Sequence, residues 1–276
     1  MDEGLTVCLS ARHSDFLAHE AELQAYFQTF QGTEIAWFLV IQADTPEDKP
    51  TFSQFFEPHI VFSTTSGLSN SRNMGLETCA TQHCIFTDFD VRYNIEALRH
   101  FSQFLKRRAR DRPRVPFFLF RVKRVEGEVS AAGYGGQEAG EMGAIEVDYI
   151  DKAHALSQVF SVQICWDVGF VRDHGLCFDP NLGLAPDRRR LNFGEEYLLA
   201  LNCFFVARKY GVIEQTFGEV QAQSTGLGKG RLEKAWLALY VLFHASKGSP
   251  WARLELMVHK TIGKITKRRF GWPKRR

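Results

Sequence analysis

Apolar runs of strand length alternate with amphipathic stretches along the first half of the chain. Residues 5–10 (LTVCLS) and 35–41 (IAWFLVI) are apolar and rich in β-branched or aromatic side chains, which predicts two buried strands. Between them Phe16, Leu23, Phe27 and Phe30 recur at helical spacing, with Ser14 placed to cap that helix. Residues 43–50 hold two Pro and three acids and predict a loop. A short strand is expected over 59–63, a short helix over 69–80 opening after Gly67, and a strand over 84–87 that ends at an acidic turn. Asn94 is placed to cap a helix that turns Ile95, Leu98, Phe101 and Leu105 inward, and 115–122 (VPFFLFRV) predicts another strand.

This alternation predicts an α/β protein with a mainly parallel mixed sheet and helices on both faces. Such sheets bind ligands at the carboxyl ends of their strands, which directs attention to residues 10–12, 42–44 and 87–90. Residues 126–142 are rich in Gly, Glu, Ser and Ala and predict a mobile loop or lid. Residues 193–210 predict a strong helix. Glu195 and Glu196 suit its N-terminal dipole, Leu198, Leu201 and Phe205 form its apolar face, Arg208 and Lys209 suit its C-terminus, and Gly211 is placed to stop it. From Arg231 the chain reads as helical and then strongly basic.

Composition narrows the class. At 45% hydrophobic and 24% charged the chain is an ordinary globular one, and its 24 Phe predict a Phe-rich core. No apolar run approaches the roughly 20 residues of a membrane-spanning helix. The start, MDEGLTVCLS, is acidic and passes directly into a strand, so no signal peptide is expected. Six scattered cysteines without a C-x-x-C pair predict free thiols in a reducing compartment, with the cytoplasm as the expected location. The net charge of +2 hides an asymmetry: between Lys247 and Arg276 there are ten Lys/Arg and one Glu, so the rest of the chain is acidic.

Three pieces carry candidate chemistry. Phe86-Thr87-Asp88-Phe89-Asp90 ends a strand in two carboxylates one residue apart, a spacing that can aim both at one hard cation such as Mg²⁺ or Mn²⁺. Taken alone, the same five residues also describe an acidic turn ahead of a helix cap. Upstream, Gly67-Leu68-Ser69-Asn70-Ser71-Arg72-Asn73 puts an Arg and an Asn near a helix start, where anions and polar ring edges bind. Downstream, Phe178-Asp179-Pro180 leads to Asn192-Phe193-Gly194-Glu195-Glu196-Tyr197-Leu198, a Gly followed by paired acids at a helix start.

In this order the pieces resemble glycosyltransferase family 2: SRN at 71–73, DFD at 88–90 and GEE at 194–196. The GLSNSRN form resembles the bacterial branch that builds surface polysaccharides. The resemblance spans about residues 5–226 and implies a GT-A fold over 1–226, followed by a C-terminal helical segment with a basic tail over 227–276. It implies an inverting transfer of sugar from a nucleotide-sugar donor, UDP-linked on family grounds, to a hydroxyl of a glycan or lipid-linked acceptor. Carried over residue by residue, it makes Asp90 the direct metal ligand and gives Asp88 to the donor ribose or to the metal. It sets Arg72 and Asn73 beside the nucleotide base, and Ser10 and Asp44 along base and ribose. Glu196 takes the general base position, supported by Glu195. Mn²⁺ or Mg²⁺ is the implied cofactor.

The sequence departs from the family at two points. No His stands in Gln221-Ala222-Gln223 just before Ser224-Thr225, where the family often has one that contacts the metal or diphosphate, and the first strand lacks the common Pro before its polar turn. A nucleotidyltransferase would need a Gly-rich loop after the first strand, where Ser10-Ala11-Arg12-His13-Ser14 has no Gly. A non-catalytic subunit of a polysaccharide assembly is the remaining alternative, although Asp90, Glu195 and Glu196 are all present. In the tail, Phe270 and Trp272 stand among the seven Lys/Arg that run from Lys264 to Arg276. Rings among cations suit an anionic membrane surface, so peripheral attachment to the cytoplasmic membrane face is expected. No nucleic-acid recognition motif accompanies the basic residues, and no nucleic-acid partner is expected.

Overall fold

A computed structural model of the chain describes residues 2–45, 51–111, 114–124, 144–151, 156, 161–183, 194–220, 240, 241 and 244. The described strands are β1 (Asp2–Arg12), β2 (Ala36–Gln42), β3 (Ile60–Ser63), β4 (Thr81–Thr87), β5 (Val91–Tyr93), β6 (Phe117–Arg124), β7 (Asp148–Ile150), β8 (Ile164–Asp167) and β9 (Tyr210–Val220). The helices are α1 (His13–Gln28), α2 (Leu68–Thr78), α3 (Ile95–Asp111), α4 (Val168–Asp173) and α5 (Glu195–Ala207). The strands form one sheet in the order β3-β2-β1-β4-β8-β6-β9-β5, with β7 beside β9. Strands β1 to β4 run parallel, β8 runs against β4 and β6, and β9 is parallel to β6.

Alternation along each strand sorts side chains to two cores. From β1, Leu5, Val7, Leu9 and Ala11 face one side, while Cys8 faces the other. The first core receives Phe16, Leu23 and Phe27 from α1 and Leu98, Phe101 and Leu105 from α3. The second receives Leu76 from α2, Val168 and Val171 from α4, and Leu198, Leu201 and Phe204 from α5. The helices therefore cover both faces, as the alternation predicts. The Phe-rich core is present on both sides: Phe27 stacks on Trp37 at 4.5 Å, and Phe117 stacks on Tyr210 at 5.2 Å. Each fully buried ring of this kind contributes about 1.5–3 kcal/mol.

Two expectations about helix ends are corrected. Arg12, not Ser14, occupies the N-cap of α1, and it offers no side-chain cap. The Ser14 N–H and hydroxyl instead donate to Asp44, at 2.7 and 2.9 Å, so a carboxylate from beyond β2 does the capping. The helix expected over 193–210 ends at Ala207, because Arg208 takes a left-handed conformation (φ 58°) and Tyr210 already opens β9. Gly211 is therefore not a helix stop. It pairs with Phe118 on β6, and a Cβ there would lie 2.5 Å from the Phe118 ring. The Asn94 cap of α3 is as expected, with Ala97 N donating to its side chain at 3.0 Å.

The expected lid at 126–142 lies outside the described residues. So do the basic tail and all of 227–276 except residues 240, 241 and 244. No helix among the described residues is long and apolar enough to cross a membrane.

Candidate active site

Parallel register brings the predicted strand ends to one edge of the sheet. Arg12 on β1 pairs with Gln42 on β2, and Leu9 on β1 pairs with Thr87 on β4. Ser10, Asp44, Asp88 and Asp90 consequently cluster at the carboxyl ends of β1, β2 and β4. Helix α2 lies close against β1 and β4 here, since a Cβ on Gly75 would stand 2.7 Å from the Phe86 ring and 3.0 Å from Cys8 Sγ. One turn earlier on α2 is Arg72.

The Arg72 side chain is 2% exposed and is surrounded by carboxylates. Its Nη1 donates to Glu195 Oε1 at 2.9 Å and also to Glu196 Oε1, and its Nη2 is 3.7 Å from Asp88 Oδ1. The guanidinium also lies 5.8 Å from the centre of the Phe178 ring. Burial works against its charge, but Glu196, Glu195 and Asp88 outweigh burial and hold its pKa above the usual value. The Glu195 side chain is 4% exposed, and its Oε2 has no hydrogen-bond partner among the described residues. Burial, followed by the Glu196 charge, pushes the Glu195 carboxyl up against the pull of Arg72. Glu196 stands further out, at 15% exposure. Of the two acids that open α5, Glu195 is thus the buried one, held beneath Arg72, while Glu196 reaches the surface with Arg72 at its back.

Asp88 and Asp90 sit in a turn closed by a 3.2 Å hydrogen bond from Val91 N to Asp88 O. Partial burial pushes the Asp88 carboxyl up, and Glu196 and Asp90 add to this while Arg72 opposes it. Burial also raises Asp90, with the Arg92 charge opposing. Negative charge is in excess at this edge: Arg72 faces three carboxylates, and Asp90 adds a fourth. Two carboxylates one residue apart at a strand end suit a hard divalent cation, which keeps most of its other ligands as phosphate oxygens and water. No cluster of three or more His, Cys, Asp or Glu arranged around an ion occurs among the described residues.

Not every residue of the expected donor site faces open space. Ser10 is buried, and its Oγ has no partner among the described residues. The Asp44 carboxylate holds the start of α1 through Ser14. Both ends of the Asn73 amide are occupied by the Phe178 backbone, donating to its O at 2.8 Å and accepting from its N at 2.8 Å. Ser69 Oγ donates to Leu182 O at 2.7 Å, so α2 grips the 178–182 loop twice. That loop is also tied to the C-terminal part, where the Tyr240 hydroxyl donates to Asp179 Oδ2 at 2.7 Å and Val241 is buried in the second core. Sequence reasoning pointed to the 42–44 strand end but gave no role to Gln42, whose Oε1 accepts from Gly67 N at 2.7 Å, and it did not find Arg92. A single polar residue at a strand end carries no local signal for a partner 25 residues away.

No protein family model matches the chain, and no curated protein matches it. Its fold does match solved structures. S. aureus TarS 1-349 aligns with a TM-score of 0.59 at 14% identity, over 96% of this chain and 73% of that one. The same fragment in complex with UDP-GlcNAc aligns with a TM-score of 0.58 at 13% identity, over 94% and 72%. The longer S. aureus TarS aligns with a TM-score of 0.54 at 14% identity, over 99% of this chain and 44% of that one. The fold is therefore of the glycosyltransferase GT-A type, a mixed α/β sheet covered by helices on both faces.

Proposed function

We propose that this chain is a nucleotide-sugar glycosyltransferase of family 2 type, acting on a hydroxyl of a glycan or lipid-linked acceptor in surface polysaccharide synthesis. The observation that carries this reading is the buried Arg72, which joins Asp88 at the end of β4 to Glu195 and Glu196 at the start of α5. Three motifs far apart in sequence meet there around one guanidinium. A UDP-linked donor is supported by the fold shared with TarS, which has been crystallised with UDP and with UDP-GlcNAc.

Asp90, with Asp88, would hold Mn²⁺ or Mg²⁺, which offsets the negative charge that develops on the leaving diphosphate. Glu196, the more exposed acid, takes the proton of the acceptor hydroxyl. The freed oxygen bonds to the anomeric carbon from the face opposite the diphosphate. The bond from that carbon to the phosphate oxygen breaks, the nucleoside diphosphate leaves with the electron pair, and the configuration inverts. Arg72 aims Glu196 through its hydrogen bond, and Glu195 fixes Arg72 from beneath. A base positioned in this way contributes about 10²–10⁴ in rate. Ser10 and Asp44 stand at the strand ends of the same edge, Ser10 buried and Asp44 engaged with Ser14, so they would shape the donor side from behind.

The basic tail supplies the proposed membrane contact. Docking on anionic lipid would turn this edge toward a lipid-linked acceptor on the cytoplasmic face. Deleting residues 266–276 is expected to abolish sedimentation with anionic liposomes and to leave donor hydrolysis in solution intact. Full-length protein that ignores such liposomes at low salt overturns the membrane role. The transfer itself is tested by anomeric analysis of the product, where an inverted linkage supports the reading and a retained one contradicts it.

A further inference from the structure

The turn that carries Asp88 and Asp90 is gripped from one side by α1. Arg92, the middle residue of β5, makes the central contact. Its Nη1 donates to the Phe89 and Val91 carbonyls, at 2.5 and 2.9 Å, and its Nη2 donates to Glu22 Oε1 at 2.5 Å. The same guanidinium lies over the Tyr26 ring at 4.9 Å, and the Tyr26 hydroxyl accepts from Tyr93 N at 3.2 Å. Phe89, the residue between the two acids, stacks on His19 at 5.1 Å with the rings 23° apart. The His19 ring is held in turn at 2.9 Å from the Asp15 carbonyl. His19, Glu22 and Tyr26 are three and four residues apart, so they form one stripe of the helix, and that stripe faces the turn.

We propose that Arg92, seated on the His19–Glu22–Tyr26 stripe of α1, is the positioning residue that aims the Asp88–Asp90 turn at a divalent cation on the donor diphosphate. This rests on the metal role given above to Asp88 and Asp90. The two carbonyls that Arg92 holds belong to the residues on either side of Asp90, so fixing both fixes the direction of the side chain between them. A planar guanidinium can reach two carbonyls and a carboxylate at once, whereas a Lys ammonium is a point charge on a flexible stem. Groups that orient metal ligands without touching the metal typically cost ~10–100-fold in affinity when removed.

The test is an equilibrium Mn²⁺ titration of the full chain with UDP present, reading free Mn²⁺ by electron paramagnetic resonance. Arg92→Ala and Arg92→Lys are both expected to weaken Mn²⁺ binding by about 10–100-fold. Glu22→Gln, at a half-exposed end of the contact, is expected to shift it less and in the same direction, with an unchanged unfolding midpoint. Wild-type affinity in Arg92→Ala, alongside loss of binding in Asp90→Asn, overturns this inference alone. Should Arg92→Ala not fold, unchanged affinity in Glu22→Gln overturns it instead. Wild-type protein that binds no Mn²⁺ with UDP overturns the metal role, and this inference with it.

Discussion

Arg72 Nη1 lies 2.9 Å from Glu195 Oε1, with both side chains buried, and 123 residues of chain separate the two. Removing one partner of a buried ion pair leaves an uncompensated charge, a loss of about 3–5 kcal/mol. Arg72→Met is expected to lower stability by that order, read from the urea midpoint. Adding Glu195→Gln to it should restore part of the loss, because the stranded carboxylate is gone. A surface Arg would cost almost nothing, so an unchanged midpoint in Arg72→Met contradicts the buried pairing.

Glu195 and Glu196 are adjacent but not equivalent. Glu196→Gln should lower turnover by about 10²–10⁴ with little change in donor KM, because it removes proton acceptance and keeps the hydrogen bond to Arg72. Glu195→Gln should cost less in turnover, since Glu195 is buried beneath Arg72 and stands further from the surface than Glu196. Steady-state kinetics on both variants decides the assignment. A larger loss from Glu195→Gln transfers the base role to that residue.

His83 gives the fold an acid sensitivity independent of the active site. Burial lowers its pKa from 6.5 to about 4, with Asp167 raising it and Arg108 and Arg114 lowering it. Between those two values the unfolded chain binds more protons than the folded one, so stability rises with pH across this window and falls as pH drops through it. The loss on going from above pH 6.5 to about pH 4 is about 3 kcal/mol from this group. His83→Gln should flatten the pH dependence of the unfolding free energy in that window relative to wild type. Parallel curves for the two proteins would show that His83 does not titrate this way.

Much of the fold was legible because the strands and helices announce themselves locally. Residues 35–41 and 115–122 read as strands, and Phe16, Leu23 and Phe27 marked the inward face of α1 correctly. What failed depended on distant partners. Nothing near Ser14 shows that Asp44 would cap α1 in its place. Gly211 looked like a helix stop because its reason, the ring of Phe118, lies 93 positions earlier in the chain. Strands β5, β7 and β8 are only three or four residues long and left no periodicity to read. At the site, the motifs at 71–73, 88–90 and 194–196 were visible, but not their meeting at Arg72. Asn73 appeared to be a ligand-facing amide, and its bond to the Phe178 backbone could not be seen without the loop in place.

The transfer reading is tested most directly by UDP release from a panel of UDP-sugars with Mn²⁺, measured for wild type, Asp90→Asn and Glu196→Gln. The expected result is release from at least one donor by the wild type, lost in Asp90→Asn and lowered by about 10²–10⁴ in acceptor-dependent turnover in Glu196→Gln. Release from no donor above the level of Asp90→Asn, in wild-type protein that still binds UDP, would contradict catalysis and leave a binding role in its place.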